Sequence, residues 1–161
     1  MRLINIFYDT MHLEPSLSVD IYLRMIKGAQ LKGLIYELIT YDGIENDLDK
    51  FFNESISIEE FMSNLKNKFP NGENAECVKY VLKFCKDNKV RLLPFGGNGE
   101  EKVYYKNLKN IIKQGLEEGN YSIIIGGLHE KFFNKKIKPL LEKCFDKVIQ
   151  SVSIDKWWIK N

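Results

Sequence analysis

Short apolar runs alternate with longer stretches of helical periodicity along the whole chain, and this alternation restricts the fold more than any other feature. The runs fall at about residues 2–8, 34–39, 90–95, 121–125 and 147–152. Each is four to eight residues long and rich in isoleucine, valine, leucine and aromatics, which is strand rather than helix composition. Strands separated by helices must be joined by crossovers, and crossovers of one hand produce a mainly parallel sheet covered on both faces. The expected fold is therefore α/β: a three-layer domain with a four- or five-stranded, mostly parallel sheet and a helical insertion or cap. The 161 residues are expected to form a single domain, since this is close to the common domain size.

The intervening segments supply the helices. Pro15 and Ser16 start a helix over residues 16–31, with Tyr22, Met25, Ile26 and Ala29 on its buried face, and Gly33 follows as a stop. Residues 40–56 are acidic and broken, and read as a loop with one helical turn. Ser57 and Glu60 have capping-box spacing before Ile58, Phe61, Met62, Leu65 and Phe69. Pro70-Asn71-Gly72 ends that helix, and another covers 74–88. The excursion from about 43 to 88 is longer than one crossover requires, so it reads as a helical insertion or cap over the carboxyl edge of the sheet. A further helix follows Gly96-Gly97-Asn98-Gly99 and extends to about Glu118. Pro139 should kink the stretch 130–145 or divide it into two short helices.

Composition excludes several classes. Hydrophobic residues at 44% and charged residues at 29% are ordinary for a globular protein. A net charge of +2, with dispersed lysines, argues against a nucleic-acid partner and against an anionic membrane surface. No apolar run approaches the roughly 20 residues that span a bilayer, and the amino terminus enters a strand without a secretion-signal core. Cys77, Cys85 and Cys144 are an odd number without a CxxC pair, and Cys85 and Cys144 complete helical apolar stripes. Reduced, buried thiols in a cytoplasmic protein are expected.

The chemistry-bearing residues fall at the strand ends. Both histidines lie just past an apolar run: His12 after Tyr8-Asp9-Thr10-Met11, and His129 after Ile125-Gly126-Gly127-Leu128. In a parallel sheet these ends share one edge, where open α/β folds bind their ligands. Asp9, His12, Glu37, Asp42 and His129 would gather there. Imidazoles with carboxylates suit a divalent transition metal such as manganese, cobalt, zinc or iron (Mn, Co, Zn, Fe). Glu37 is either a third ligand or the general base for a metal-activated water. The plainer alternative makes Glu37 a solvated side chain on an edge strand.

In order and strand context these motifs resemble the TraB/Tiki superfamily, which includes ChaN-like and erythromycin-esterase-like proteins. Gly126-Gly127-Leu128-His129 fits its GxxH motif, Asp9-Thr10-Met11-His12 stands where an earlier GxxH occurs, and Glu37 stands where a glutamate closes the second strand. Aspartate replaces the first glycine, and no arginine occurs within residues 38–42, where many members carry a basic residue. The resemblance implies a metal-dependent hydrolase of peptide or ester bonds. His12, His129, Glu37 and Asp9 would be its metal ligands, Glu37 its catalytic base, and a peptide or small molecule its substrate.

Two other functions compete. Phe95-Gly96-Gly97-Asn98-Gly99 lies between a strand and a helix, where backbone amides can hold a phosphate or nucleotide. Yet no Walker lysine follows, and Glu100-Glu101 would repel the anion. A non-enzymatic ligand-binding or interaction domain would instead use Trp157-Trp158 and Phe132-Phe133 as a patch, for instance in a homo-oligomer. No GxSxG elbow or cysteine–histidine pairing supports nucleophilic catalysis.

Overall fold

A computed structural model describes residues 1–9, 22, 23, 26, 30–38, 40–68, 75–98 and 100–151. Five strands, β1 (Leu3–Asp9), β2 (Leu31–Tyr36), β3 (Arg91–Pro94), β4 (Asn120–Gly126) and β5 (Lys147–Ser151), form one sheet in the order β3-β2-β4-β1-β5. Every neighbouring pair is parallel. The helices are α1 (Ile44–Phe52), α2 (Ile58–Lys68), α3 (Ala75–Asn88), α4 (Glu101–Lys113), α5 (Glu130–Lys136) and α6 (Lys138–Cys144). This is the three-layer α/β architecture expected from the alternation of runs. Among the described residues no helix is long and apolar enough to cross a membrane.

Strand alternation divides the core in two. Phe7, Leu34, Tyr36 and Ile124 point to one face and pack with Leu48 and Phe51 of α1, Phe61 and Leu65 of α2, and Val78, Val81 and Cys85 of α3. Tyr22, Leu23 and Ile26, which have helical backbone, join that cluster. Ile4, Ile6, Ile35, Ile123 and Ile125 point to the other face and pack with Leu108, Phe133 and Leu141 from α4, α5 and α6. Connections leaving β1 and β2 run toward the β3 edge on the first face. Those leaving β3 and β4 run toward the β5 edge on the second. Crossovers of one hand that travel in opposite directions must lie on opposite faces, so the two helical layers follow from topology.

Several local expectations are revised. Residues 40–56 are not a loop with one turn but contain the nine-residue helix α1. Ile44, Leu48 and Phe51 recur at i, i+4 and i+7 and are all buried, which outweighs the acidic composition around them. α4 stops at Lys113 rather than near Glu118, with Gly115 beyond it in the left-handed region (φ 82°). β2 begins earlier than residue 34 and ends at Tyr36. It passes Gly33, where a Cβ would come within 2.8 Å of the Tyr121 ring, so only glycine allows β2 to approach β4 there. The stretch with Pro139 divides at Ile137 into α5 and α6, with proline in the first turn of the second. Ser57 caps α2 as its spacing predicts, accepting the Glu60 amide at 3.1 Å. Cys77, Cys85 and Cys144 form no disulfide, the first two being buried and the third partly so. The helix expected over 16–31 is described at Tyr22, Leu23 and Ile26 and does not reach 31, since Gln30 is left-handed (φ 46°) and Leu31 begins β2; Trp157 and Trp158 lie outside the described residues.

Candidate functional site at the carboxyl edge of the sheet

β4 lies between β2 and β1. The chain leaves β1 and β2 toward one face and β4 toward the other, so the carboxyl end of β4 is a topological switch point. In open α/β sheets the loops part at such a point and leave room for a ligand.

Glu37 stands at this edge because the β2 ladder closes just before it. Leu38 turns its amide back onto the Tyr36 carbonyl at 2.8 Å, while the Glu37 amide still donates to Ile124 O at 3.2 Å. The Glu37 carboxylate accepts the Gly126 amide through Oε2 at 2.5 Å. A charge-assisted bond of this kind is worth about 1.5–3 kcal/mol. β2 is an interior strand and Glu37 is only 22% exposed, so it is not the solvated side chain of an edge strand.

Gly126 leads into one 3-10 turn, Gly127–His129, which places the imidazole beside the same carboxylate. His129 Nε2 stands 3.9 Å from Glu37 Oε1. The other ring nitrogen, Nδ1, is 3.1 Å from the Tyr105 hydroxyl and 3.9 Å from Glu101 Oε1. Tyr105 also lies 3.4 Å from Glu101 Oε1. Burial, and then the negative charge of Glu101, push the Tyr105 hydroxyl well above the usual tyrosine range, so it stays protonated and able to donate. The Tyr104 ring lies against that of His129 at 5.0 Å and against Phe95 at 5.3 Å. Tyr104 is buried, and its hydroxyl has no hydrogen-bond partner among the described residues.

Glu37 and His129 are thus brought together, as expected from their strand ends. Asp9 closes β1 directly opposite Gly126, one strand further along the edge, and by alternation falls on the side of Phe7. Asp42 lies elsewhere. It lines a cavity of about 840 Å³ with Tyr41, Asn98 and Asn107, to which neither Glu37 nor His129 contributes among the described residues. His12 lies outside the described residues. Among the described residues no three His, Cys, Asp or Glu side chains cluster closely enough to hold a metal by themselves.

Glu101, Tyr104 and Tyr105 were not visible as site residues in the sequence. In the sequence Glu101 counts only as an acid that would repel an anion at the start of its helix, and nothing singles out the two tyrosines. Only the topology carries the signal: α4 follows β3, so its first turn rises from the same carboxyl edge as Glu37 and His129. Beside them, four lysines of α4 from Lys102 to Lys113 line an open cavity of about 420 Å³ that also touches Glu101 and Tyr105. Comparison with known protein families, characterised proteins and solved structures finds no match to this chain.

Proposed function

We propose that this chain is a metal-dependent hydrolase of peptide or ester bonds, of the TraB/Tiki type, with its site at the carboxyl edge of the sheet. The observation that carries this is the meeting of the Glu37 carboxylate with His129 Nε2 at a separation of 3.9 Å, at a switch point of the fold. Two donors on one tetrahedral ion, each about 2.1 Å from it, stand about 3.4 Å apart. The pair therefore fits a shared ion after a side-chain adjustment of about half an ångström. With an ion on Nε2 the imidazole proton would sit on Nδ1 and be donated to the Tyr105 oxygen 3.1 Å away, the kind of outer hydrogen bond that orients a ligating histidine. His12, by its sequence position, would complete the donor set, with Asp9 on the Phe7 side of the edge as an outer acceptor that orients it. A bound manganese, cobalt, zinc or iron ion would polarise the scissile carbonyl and acidify a water. Glu37 would either stay on the ion as a ligand or stand off it as the base that takes the proton from that water, with the Gly126 amide holding its second oxygen in place. Substrate would approach past the lysines of α4, which favours peptides or esters bearing acidic groups.

Metal analysis of untagged protein, followed by calorimetric titration of Mn, Co and Zn into wild type, His129→Ala, His12→Ala and Glu37→Gln, tests this. Stoichiometric metal lost in each histidine variant, with hydrolysis lost in Glu37→Gln, is the expected result. Wild type that neither contains nor binds metal would overturn it and leave a non-enzymatic binding domain.

A further inference from the structure

We infer that Tyr105 is the positioning residue of His129: its hydroxyl donates to Nδ1 and holds the imidazole in the tautomer whose proton sits on Nε2, facing Glu37. This goes beyond the hydrolase proposal, because it concerns the metal-free protein and holds whether or not the site takes a metal.

A neutral imidazole has one N–H, and the neighbour of one nitrogen decides where it sits. The Tyr105 hydroxyl has a single proton and two acceptors in reach, Nδ1 at 3.1 Å and Glu101 Oε1 at 3.4 Å. Hydroxyl bonds to oxygen normally run about 2.5–3.0 Å, so the contact with Glu101 is stretched and the proton goes to Nδ1. Electrostatics points the same way. Both carboxylates lie 3.9 Å from a ring nitrogen, but Glu101 is 67% exposed and Glu37 only 22%. Solvent screens Glu101 more strongly, so the field of Glu37 wins and draws the proton to Nε2.

Packing leaves the hydroxyl rotor as the free variable. The Tyr105 ring stacks on Phe132 with centroids 3.5 Å apart, and Tyr104 braces the imidazole from another side. Turning the hydroxyl toward Glu101 would move the imidazole proton to Nδ1 and bare the Nε2 lone pair. α4 therefore offers His129 two states, with the protonated Nε2 favoured at rest.

Imidazole ¹⁵N spectra of the metal-free protein test this at about pH 8, above the ordinary histidine range near 6.5. The chain has two histidines, so His129→Ala assigns the signals. Wild type should show Nε2 protonated. Tyr105→Phe, which keeps the stacked ring, should shift the population toward Nδ1–H, because Nδ1 loses its donor while Glu101 remains. Glu101→Gln should keep the wild-type tautomer. A wild-type Nδ1–H form, or a Tyr105→Phe spectrum identical to wild type, would overturn the inference. If Tyr105→Phe does not fold, a correlation across the O–H···Nδ1 bond in wild type decides: its presence supports the assignment and its absence refutes it. Failure to bind metal leaves these outcomes untouched, so the two proposals fail separately.

Discussion

Removing one oxygen from Tyr104 should make this protein more stable. Tyr104 is 5% exposed, and its hydroxyl has no hydrogen-bond partner among the described residues. An unsatisfied buried hydroxyl costs about 1–3 kcal/mol relative to water. Phenylalanine keeps the ring, and with it the contacts to Phe95 and His129, so no cavity opens beyond one oxygen. Tyr104→Phe should therefore gain about 1–2 kcal/mol after allowing for local relaxation. In a chain of this length each kcal/mol moves Tm by about 2–4 °C, so the midpoint should rise by about 2–8 °C. Urea unfolding should show a higher midpoint at unchanged slope, since the exposed surface is the same. A variant destabilised by about 1 kcal/mol would refute the reasoning and show that the hydroxyl is hydrogen-bonded in solution. The stabilising change should also weaken ligand binding if the hydroxyl serves the candidate site, the usual conflict between stability and function at a site.

Gly33→Ala should lower stability by about 1–3 kcal/mol in urea titrations, because the new methyl meets both the Tyr121 ring and the Arg91 carbonyl. Glu37→Ala should cost about 1–3 kcal/mol by leaving the Gly126 amide without its acceptor. Glu37→Gln should lose clearly less in the same assay. Burial raises Tyr22 to about 12 despite its hydrogen bond to Ser122. The unfolded tyrosine near 10 releases its proton first, so stability is intact below about pH 10 and falls as pH rises toward 12. Thermal melts across that window, followed by tyrosinate absorbance, should show Tm declining. A constant Tm from pH 10 to 12 would contradict the burial of Tyr22.

The layers of the fold were legible because strand runs and helical stripes differ in period, and each period follows from backbone geometry. Boundaries were less legible. The start of β2 depends on Gly33 passing Tyr121 on another strand. α1 was hidden because its acids occupy the turns between Ile44, Leu48 and Phe51. The first-turn acids complement the helix dipole, so composition that looked like loop was helix surface. Half of the candidate site was legible too. Glu37 and His129 each announce themselves as polar groups just past an apolar run, and parallel strands put such ends on one edge. Asp42 looked equivalent in the sequence, but the turn before α1 carries it to a different cavity.

By itself the sequence determined the class of fold, the edge that carries the candidate site, and the pairing of a carboxylate with an imidazole there. These follow from properties that repeat along the chain, namely side-chain period and crossover direction, and need no knowledge of which strands touch. Only the tertiary structure decided that β4 lies between β2 and β1, so that Glu37 holds the Gly126 amide. It also decided that Glu101, Tyr104 and Tyr105 surround His129. Contacts between segments 89 positions apart, as between Glu37 and Gly126, or 24 apart, as between Tyr105 and His129, depend on strand order and helix rotation. Those are set by how two whole apolar faces pack together, a cooperative outcome that no local pattern encodes.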